Sequence, residues 1–233
     1  MKPEAAMILS AGMGTRMRPL TDHCPKPLLQ VGGESMLDRS LNHVIDAGIS
    51  RAIVNIHYLG GMIRHHLAGR TRPEIVISDE TELLLDTGGG IVKALPHLGR
   101  CFVTINSDAV WHGPNPLLPL LASWDGIEAD ALMLLVPKDR AIGYTRAGDF
   151  FLDAGRPVRR GAAATAPFVF TGAQVFRADA FSDAPPGPFS TNIIWDQLIA
   201  NGRLFAVVYE GDWVDVGTPK GLSLANELVA EGA

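Results

Sequence analysis

Short runs of consecutive apolar residues recur along the first part of the chain, and polar segments with helical spacing separate them. Unbroken apolar runs of this length are typical of strands that are covered on both faces of a sheet. The clearest helical pattern begins after Ser35, a residue suited to cap a helix, and ends at Gly48. Because strands and helices alternate, the pattern predicts βαβ units and a mostly parallel sheet.

The predicted strands of this first part are 5–9, 52–56, 75–77, 101–105 and 131–136, and the predicted helices are 36–45, 62–67 and 91–95. The segment Gly88-Gly-Gly90 is expected to lead into the last of these helices.

The pattern changes between Pro137 and Pro167, where Arg, Gly and Asp are frequent and apolar runs are short. We interpret this region as hairpins at the mouth of the sheet rather than as further βαβ units. Thr218 and Pro219 fit the N-cap and the first position of a last helix, which extends to about Glu231. Before it, strands are predicted at 168–170, 173–176, 204–208 and 213–216, with a helix over 191–201.

Composition agrees with one domain of this kind. The chain has 233 residues, of which 47% are hydrophobic, enough to fill the core of an α/β domain. We therefore predict a single domain over 1–233, with no second catalytic domain after the last helix.

Charge and cysteine content restrict the classes of partner. The formal net charge of −5 argues against a general nucleic-acid-binding surface, which needs a basic face, but allows a local basic pocket. No apolar run approaches the roughly 18 residues of a membrane span. Two cysteines in a chain of this length indicate a reducing compartment rather than a disulfide scaffold. We expect a soluble cytoplasmic protein without nucleic-acid or membrane partners.

The first candidate site is the loop after strand 5–9, which contains Gly12, Gly14 and Arg16. Glycines after a buried strand let backbone N–H groups close on an anion, and the planar fork of an arginine bonds two phosphate oxygens. A Rossmann dinucleotide loop would need a third glycine where Met17 stands, and a P-loop would need Gly-Lys-Ser/Thr. The glycines alone fit a plain structural turn as well as a phosphate loop.

Lys26 stands between two prolines on a stiff segment that can aim its ammonium group at a phosphate. Taken in isolation, an exposed lysine on a turn explains it equally well.

Two aspartates are candidate metal ligands. Asp108 follows the buried strand 101–105, and ligands of open α/β sheets bind beyond the carboxyl ends of the strands. Asp215 lies between apolar neighbours, so its carboxylate is held near the core and needs a partner. One or two carboxylates with substrate oxygens are a usual Mg²⁺ site. The alternatives are a loop cap for Asp108 and a salt bridge to a buried arginine for Asp215.

Together these segments resemble the signature of the sugar-phosphate nucleotidyltransferases. That signature is a glycine-rich loop, then Thr-Arg, Pro-Leu-Thr and Pro-Lys-Pro-Leu, and the resemblance also covers the segments around both aspartates. In this chain the pattern stands as Gly12, Gly14, Thr15-Arg16, Pro19-Leu-Thr21, Pro25-Lys-Pro-Leu28, Asn106-Ser-Asp108 and Trp213-Val-Asp-Val-Gly-Thr218. Within the family, the chain is most similar to the short N-acetylmuramate 1-phosphate uridylyltransferases, which share Asp86-Thr-Gly-Gly-Gly90.

The resemblance implies a fold and a reaction. The fold is a single-domain, Rossmann-like nucleotidyltransferase fold, with a mixed, mostly parallel sheet between helices and a small hairpin region on the sugar side. Residues 1–110 are expected to bind the nucleotide and residues 111–233 the sugar. The sugar 1-phosphate, here N-acetylmuramate 1-phosphate, attacks the α-phosphorus of a nucleoside triphosphate, here UTP, and pyrophosphate leaves. Mg²⁺ is the expected cofactor, and cell-wall recycling is the expected process.

The resemblance also assigns roles to residues. Arg16 and Lys26 are expected to be catalytic, Asp108 and Asp215 to hold Mg²⁺, and Gly88 and Gly89 to let the base and ribose approach the backbone. The expected nucleotide-binding residues are Leu9, Ala11, Gly12, Gly14, Thr15, Arg16, Lys26, Thr87, Gly88, Gly89 and Asn106. The expected sugar-binding residues, chosen by position more than by motif, are Gly148, Asp149, Thr171 and Gly172.

The chain departs from the family pattern in two places. Many relatives carry Glu-Lys-Pro after the central hairpin, where the glutamate helps to bind the sugar, whereas this chain has Val158-Arg-Arg160. The metal-binding motif reads Ser-Asp instead of Gly-Asp, which we expect to be tolerated because Ser107 is small.

Several alternatives stay open. The nucleotide and sugar can be those of a mannose 1-phosphate or heptose 1-phosphate guanylyltransferase, or the enzyme can be a cytidylyltransferase that acts on an alcohol phosphate. A non-catalytic nucleotide-sugar sensor would use the same fold. Uracil is favoured by similarity alone, and the chain is expected to be a monomer or a small homo-oligomer. Trp111 and Trp195 are predicted to pack rather than to line the sugar cavity.

Overall fold

In a computed structural model, the structure describes residues 2–125 and 127–231. The strands are β1 (Ala5–Leu9), β2 (Gln30–Val31), β3 (Glu34–Ser35), β4 (Arg51–Ile56), β5 (Glu74–Asp79), β6 (Cys101–Asn106), β7 (Ala109–His112), β8 (Ala131–Pro137), β9 (Ala141–Ile142), β10 (Phe150–Asp153), β11 (Arg156–Arg159), β12 (Phe168–Arg177), β13 (Leu204–Val208) and β14 (Asp212–Asp215). The helices are α1 (Met36–Asp46), α2 (Gly60–Leu67), α3 (Asp86–Leu98), α4 (Leu117–Trp124), α5 (Asn192–Ala200) and α6 (Pro219–Glu231).

A large mixed sheet forms the centre of the molecule. Its main run of strands has the order β5-β4-β1-β6-β12-β8-β13. Every strand of this run points the same way except β12, which is antiparallel to both of its neighbours. The β10–β11 hairpin joins where Phe150 pairs with Phe168, and β7-β14-β9 form a separate small sheet. The predicted mixed, mostly parallel sheet is therefore confirmed.

Helices cover both faces of this sheet, because neighbouring residues of its buried strands point to opposite sides. Ala6 and Ile8 of β1 lie in a core cluster with apolar residues of α1, α2 and α4. Ala5 and Met7 lie in a second cluster with residues of α3 and α5. Strands buried on both sides need continuous apolar runs, which is the pattern seen in the sequence.

The last helix, α6, packs against the side of the molecule where the glycine loop lies. Ala225 of α6 packs with Val214 and Val216 and with Met17, which follows Arg16 and is fully buried. This third cluster places the carboxyl end of β14 beside the loop after β1, so that distant parts of the chain meet there.

Most predicted elements are present near their predicted positions, including the β10–β11 hairpin and the final helix, whose Thr218 hydroxyl accepts a hydrogen bond from the Gly221 amide. Three differences stand out. The segments 168–170 and 173–176 belong to one strand, β12, with an irregularity between them. Strands β2, β3 and β7 and helix α4 were not predicted.

The third difference concerns Gly88-Gly-Gly90, which lies inside α3 rather than before it. The first amides of a helix have no partner within the helix. Here the carbonyl of Phe189 accepts hydrogen bonds from the amides of both Gly88 and Gly89. The helix can therefore begin earlier than its glycines suggest, because a distant segment satisfies its first turn.

Candidate active site

The carboxyl ends of four neighbouring strands are joined by hydrogen bonds between buried side chains. The Ser107 hydroxyl, after β6, donates to the Leu9 carbonyl at 2.8 Å and accepts from the Ser10 hydroxyl at 3.1 Å. The Ser10 amide donates to Asn55 Oδ1 at 2.7 Å, and Asn55 Nδ2 donates to Glu80 Oε1 at 2.7 Å. This chain of bonds forms a rigid polar floor at the edge of the sheet where ligands of such folds bind.

The glycine loop leaves this floor and turns into a short 3-10 turn, Thr15–Met17. The Thr21 hydroxyl holds the loop by donating to the Gly14 carbonyl at 2.9 Å. Among the described residues other than Gly12 and its two neighbours in the chain, no heavy atom lies within 4 Å of the point where a Gly12 side chain would begin. Met17, which stands where a third glycine would be in a dinucleotide loop, instead anchors the turn in the core.

Lys26 is nearly buried and points into the site. Its Nζ lies 2.8 Å from Asp108 Oδ2, and the side-chain exposures are 10% for Lys26 and 41% for Asp108. A short 3-10 turn, Lys26–Leu28, and the flanking prolines hold the lysine in this position. The alternative of an exposed lysine on a turn is therefore wrong.

Asp215 lies at the end of β14 with its side chain 20% exposed, and Arg146 Nη2 approaches its Oδ2 at 3.9 Å. Arg146 is 66% exposed, so this arginine is not the buried partner that the alternative interpretation required. A Cβ built on Gly217 would lie 2.8 Å from Asp215 Oδ1 and 3.0 Å from Arg16 Nη1. The absence of a side chain at Gly217 therefore lets Asp215 and the guanidinium of Arg16 approach the same space.

Two cavities meet at this edge of the sheet. The first, of about 380 Å³, contains the glycine loop, Lys26 and the polar floor. The second, of about 540 Å³, extends from Arg16 and Asp215 to the β10–β11 hairpin and α5. Their shared lining residues are Leu9, Asp86, Thr87, Asn106 and Asp108. The arrangement suits two ligands that react where the cavities join.

The predicted nucleotide-binding residues are brought together only in part. Those that line one or both cavities are Leu9, Ala11, Gly12, Arg16, Lys26, Thr87 and Asn106. Of the remaining ones, Gly14 and Thr15 lie in the loop but are not among the cavity-lining residues of the described chain, and Gly14 supports the turn.

Gly88 and Gly89 are approached by another segment of the same chain. A side chain at Gly88 would overlap the Phe189 ring, and one at Gly89 would lie 2.6 Å from the Gly187 carbonyl oxygen. The segment that approaches these glycines is thus part of the chain itself. A contact with the base or ribose stays a prediction for both residues.

The predicted sugar-side residues all line the second cavity. Gly148 packs closely on the backbone of Ala166, and Gly172 has a φ of +90° and packs on the Asn106 side chain. The Thr171 hydroxyl donates to the Leu134 carbonyl at 3.0 Å, where it stabilises the irregularity in β12. These contacts give the residues a structural role, and their contact with a sugar stays a prediction.

Asp149 has partners for both carboxylate oxygens. The Tyr144 hydroxyl donates to Oδ1 at 3.0 Å, and the Phe170 amide donates to Oδ2 at 3.0 Å. Burial, and then the negative charge of Asp149, raise the pKa of Tyr144 to about 12, which keeps the hydroxyl protonated. Asp149 therefore links the start of the β10–β11 hairpin to β12 and forms part of the wall of the second cavity.

The chain is similar in sequence to known enzymes that transfer nucleotides. Residues 5–147 match the family model described as nucleotidyl transferase, which is more than half of the chain. The chain belongs to the nucleotidyl transferase family. It is 38% identical to the N-acetylmuramate alpha-1-phosphate uridylyltransferase of Caulobacter vibrioides, with 98% of each chain covered. The enzyme of the same name from Neisseria meningitidis is 32% identical, with 96% of this chain and 97% of that one covered.

The fold of this nucleotidyl transferase is shared with solved structures. A UDP-glucose pyrophosphorylase in complex with UDP-glucose superposes with a TM-score of 0.82 at 14% sequence identity, with 99% of both chains covered. The Rossmann-like nucleotidyltransferase fold expected from the sequence is confirmed.

Several residues of the nucleotidyl transferase site were missed by sequence reasoning. Asn55 and Glu80 are polar residues at the ends of predicted strands, so the rule that identified Asp108 would also have found them. Asp86 lines both cavities and has a φ of +59°, a strained conformation for a residue with a side chain. Trp195 packs edge-on against Phe170, with 4.7 Å between the ring centroids, as expected. It also lines the second cavity, which was not expected.

The donor set for a metal consists of carboxylates. Within residues 2–125 and 127–231, no group of three or more His, Cys, Asp and Glu side chains is placed to enclose an ion. Asp108 and Asp215 both line the second cavity, and this fits a hard cation that takes its other ligands from phosphates and water. The family generally uses a divalent metal ion.

Proposed function

We propose that this nucleotidyl transferase joins UMP from UTP to N-acetylmuramate 1-phosphate and releases pyrophosphate. The observation that carries the choice of substrates is the 38% identity, over 98% of both chains, to the Caulobacter vibrioides enzyme of that name. The adjoining cavities support the reaction, because they offer separate space for a nucleotide and for a sugar phosphate on either side of Asp108.

In the proposed reaction, an oxygen of the sugar 1-phosphate forms a bond to the α-phosphorus of UTP. The bond from that phosphorus to the oxygen bridging to the β-phosphate breaks, and this oxygen leaves as part of pyrophosphate. The attacking oxygen is already an anion, so the reaction needs no general base. The protein contributes position and positive charge.

Lys26 and Arg16 supply this positive charge in the proposal. Lys26 lines the first cavity and Arg16 the second, so the two approach the reacting phosphates from different sides. Lys26 is held by stiff backbone and by Asp108, and little reorganisation is needed when a phosphate replaces the carboxylate as its partner. Gly12 leaves open space in which a phosphate can approach the backbone of the loop.

Asp108 and Asp215 would hold Mg²⁺. The metal ion would neutralise negative charge on the phosphates as pyrophosphate leaves. Lys26 keeps the Asp108 carboxylate located at the junction of the cavities, and Gly217 leaves space for Asp215.

The proposal includes a cytoplasmic location and a role in cell-wall recycling, as a monomer or a small homo-oligomer. The free thiols of Cys24 and Cys101 support the location, because a cytoplasm is reducing. In the described part of the chain, none of the helices has the length and apolar character required to cross a bilayer.

A substrate panel tests the proposed function. The protein is incubated with Mg²⁺ and each of UTP, GTP, CTP and dTTP. The acceptors are phosphocholine and the 1-phosphates of N-acetylmuramate, N-acetylglucosamine, mannose and heptose, and pyrophosphate release is measured. The proposal predicts the highest kcat/KM for UTP with N-acetylmuramate 1-phosphate. A preference for GTP with mannose or heptose 1-phosphate would favour a guanylyltransferase. Turnover of CTP with phosphocholine would favour a cytidylyltransferase, and nucleotide binding without any turnover would favour a sensor.

A further inference from the structure

The arginines of the second cavity differ in their partners. Arg146 lies 3.9 Å from Asp215, and Arg159 Nη2 lies 2.8 Å from Asp196 Oδ1. Arg159 also donates to the Asn192 side chain at 2.8 Å and stacks over the Trp195 ring, so it already has a carboxylate, an amide and an aromatic partner. Arg160, its neighbour, has no carboxylate within 4.0 Å among residues 2–125 and 127–231.

Arg160 is held in place by neutral groups instead. Its Nε donates to the Gly148 carbonyl at 3.1 Å, and its Nη1 donates to the Ala163 carbonyl at 2.8 Å. Its backbone amide donates to the Asp149 carbonyl at 3.0 Å, and this hydrogen bond also holds the backbone of Arg160 in place. A guanidinium has about five N–H groups, and two are used here, so about three remain for a ligand.

This arrangement prepares a site for an anion. The half-buried guanidinium lines the second cavity and does not line the first. Among the described residues, no carboxylate lies within 4.0 Å of this partly buried guanidinium. An anion whose two oxygens lie in one plane would therefore stabilise it most, because it can accept two of its hydrogen bonds. The phosphates of both substrates already have Lys26 and Arg16 in the proposed function, so Arg160 is available for a different anionic group.

We propose that Arg160 binds a carboxylate carried by the sugar itself. The inference rests on the proposed function and deepens it, because N-acetylmuramate differs from N-acetylglucosamine by a lactyl ether that ends in a carboxylate. The resemblance places a sugar-binding glutamate of many relatives in the region of Val158-Arg-Arg160. A glutamate there would repel a carboxylate, whereas Arg160 attracts it.

The test compares two sugar phosphates that differ only in this group. With UTP and Mg²⁺, kcat/KM is measured for N-acetylmuramate 1-phosphate and N-acetylglucosamine 1-phosphate in the wild-type enzyme, in Arg160→Gln and in Arg156→Gln. Arg156 is the matched control, because it lies on the same hairpin and also bonds a backbone carbonyl, that of Gly202, but is not among the cavity-lining residues of the described chain.

The wild-type enzyme is expected to prefer the muramate substrate. Arg160→Gln is expected to lower the ratio of the two kcat/KM values by about tenfold or more, since hydrogen bonds to a charged group are lost for one substrate only. Arg156→Gln is expected to leave the ratio unchanged, and thermal melting shows that both variants are folded.

Three other outcomes overturn the inference. Equal losses for both sugars in Arg160→Gln would mean that the residue contacts the phosphate or only supports the hairpin. A wild-type enzyme that does not prefer the muramate substrate would leave nucleotidyl transfer intact but would remove the carboxylate site. No turnover of any nucleotide and sugar phosphate would reject the proposed function, and the inference with it.

Discussion

Lys26 Nζ donates to Asp108 Oδ2 across 2.8 Å, although 82 positions of the chain separate the two residues. The lysine comes from the stiff Pro-Lys-Pro segment after β1, and the aspartate comes from the turn that follows β6, the neighbouring strand of the sheet. Their contact marks the place where the two cavities join. An ammonium group and a carboxylate in contact here can each exchange partner when phosphates and a cation enter.

We expect Lys26→Ala and Asp108→Asn each to lower kcat by about 10²–10³, because each removes charge aimed at the reacting phosphates. Asp108 is 41% exposed in its side chain, so its replacement is expected to leave the fold intact. The measurement is pyrophosphate release alongside thermal melting. Lys220→Ala, at an exposed position of α6, is the control and should keep full activity. Activity of Asp108→Asn within threefold of the wild type would contradict a metal or phosphate role.

The loop glycine offers a test of backbone approach. Gly12→Ala adds a methyl group into open space, so the free energy of unfolding should hardly change, but the methyl group occupies the space proposed for a phosphate. We expect the KM for UTP to rise by about tenfold or more, since small displacements of a bound group are costly. Gly61→Ala, at another glycine with nothing within 4 Å, is the matched control. If both variants have the wild-type KM, Gly12 does not face the nucleotide.

The polar floor under the first cavity should contribute to stability. Asn55→Ala leaves the buried Glu80 carboxylate and the Ser10 amide each without one partner. We expect the free energy of unfolding to fall by about 1–3 kcal/mol, as measured by denaturant titration. Asn42→Ala, which removes an exposed hydrogen bond to Glu34, should cost less than about 0.5 kcal/mol. Equal small effects in both variants would mean that the floor adds nothing to stability.

His43 predicts a dependence of stability on pH. Burial, opposed by the nearby Asp46 carboxylate, lowers the pKa of His43 to about 4, whereas the unfolded chain has the ordinary value of 6.5. Below pH 6.5 the unfolded state binds a proton that the folded state does not, so stability falls as the pH drops from 6.5 towards about 4. Above pH 6.5 this contribution is constant.

The measurement is the denaturant midpoint at several values between pH 7 and pH 5. His43→Gln should flatten the dependence on pH, and the exposed His65→Gln should not. A dependence that is the same in the wild type and in His43→Gln would assign the effect to other groups.

The hydrophobic pattern was enough to predict the order of most strands and helices, because strands covered on both faces require continuous apolar runs. It did not by itself assign Arg16, Lys26 and Asp108 to a site, because local spacing left a structural turn, an exposed lysine and a loop cap as alternatives. Their expected roles came from the resemblance to the sugar-phosphate nucleotidyltransferases. The pattern did not predict β7 and α4, which follow β6. Their apolar residues are buried by contacts with distant segments of the chain.

The sequence by itself thus predicted the sheet and the residue types that are expected at the site. Only the tertiary structure decided which of these residues meet. The start of α3 depends on the Phe189 carbonyl, and the polar floor depends on the order β6-β1-β4-β5 in the sheet. Among the described residues, Arg160 has no carboxylate within 4.0 Å, whereas its neighbour Arg159 pairs with Asp196. Contacts between distant segments depend on how strands are arranged in space, and local spacing along the chain carries no record of that arrangement.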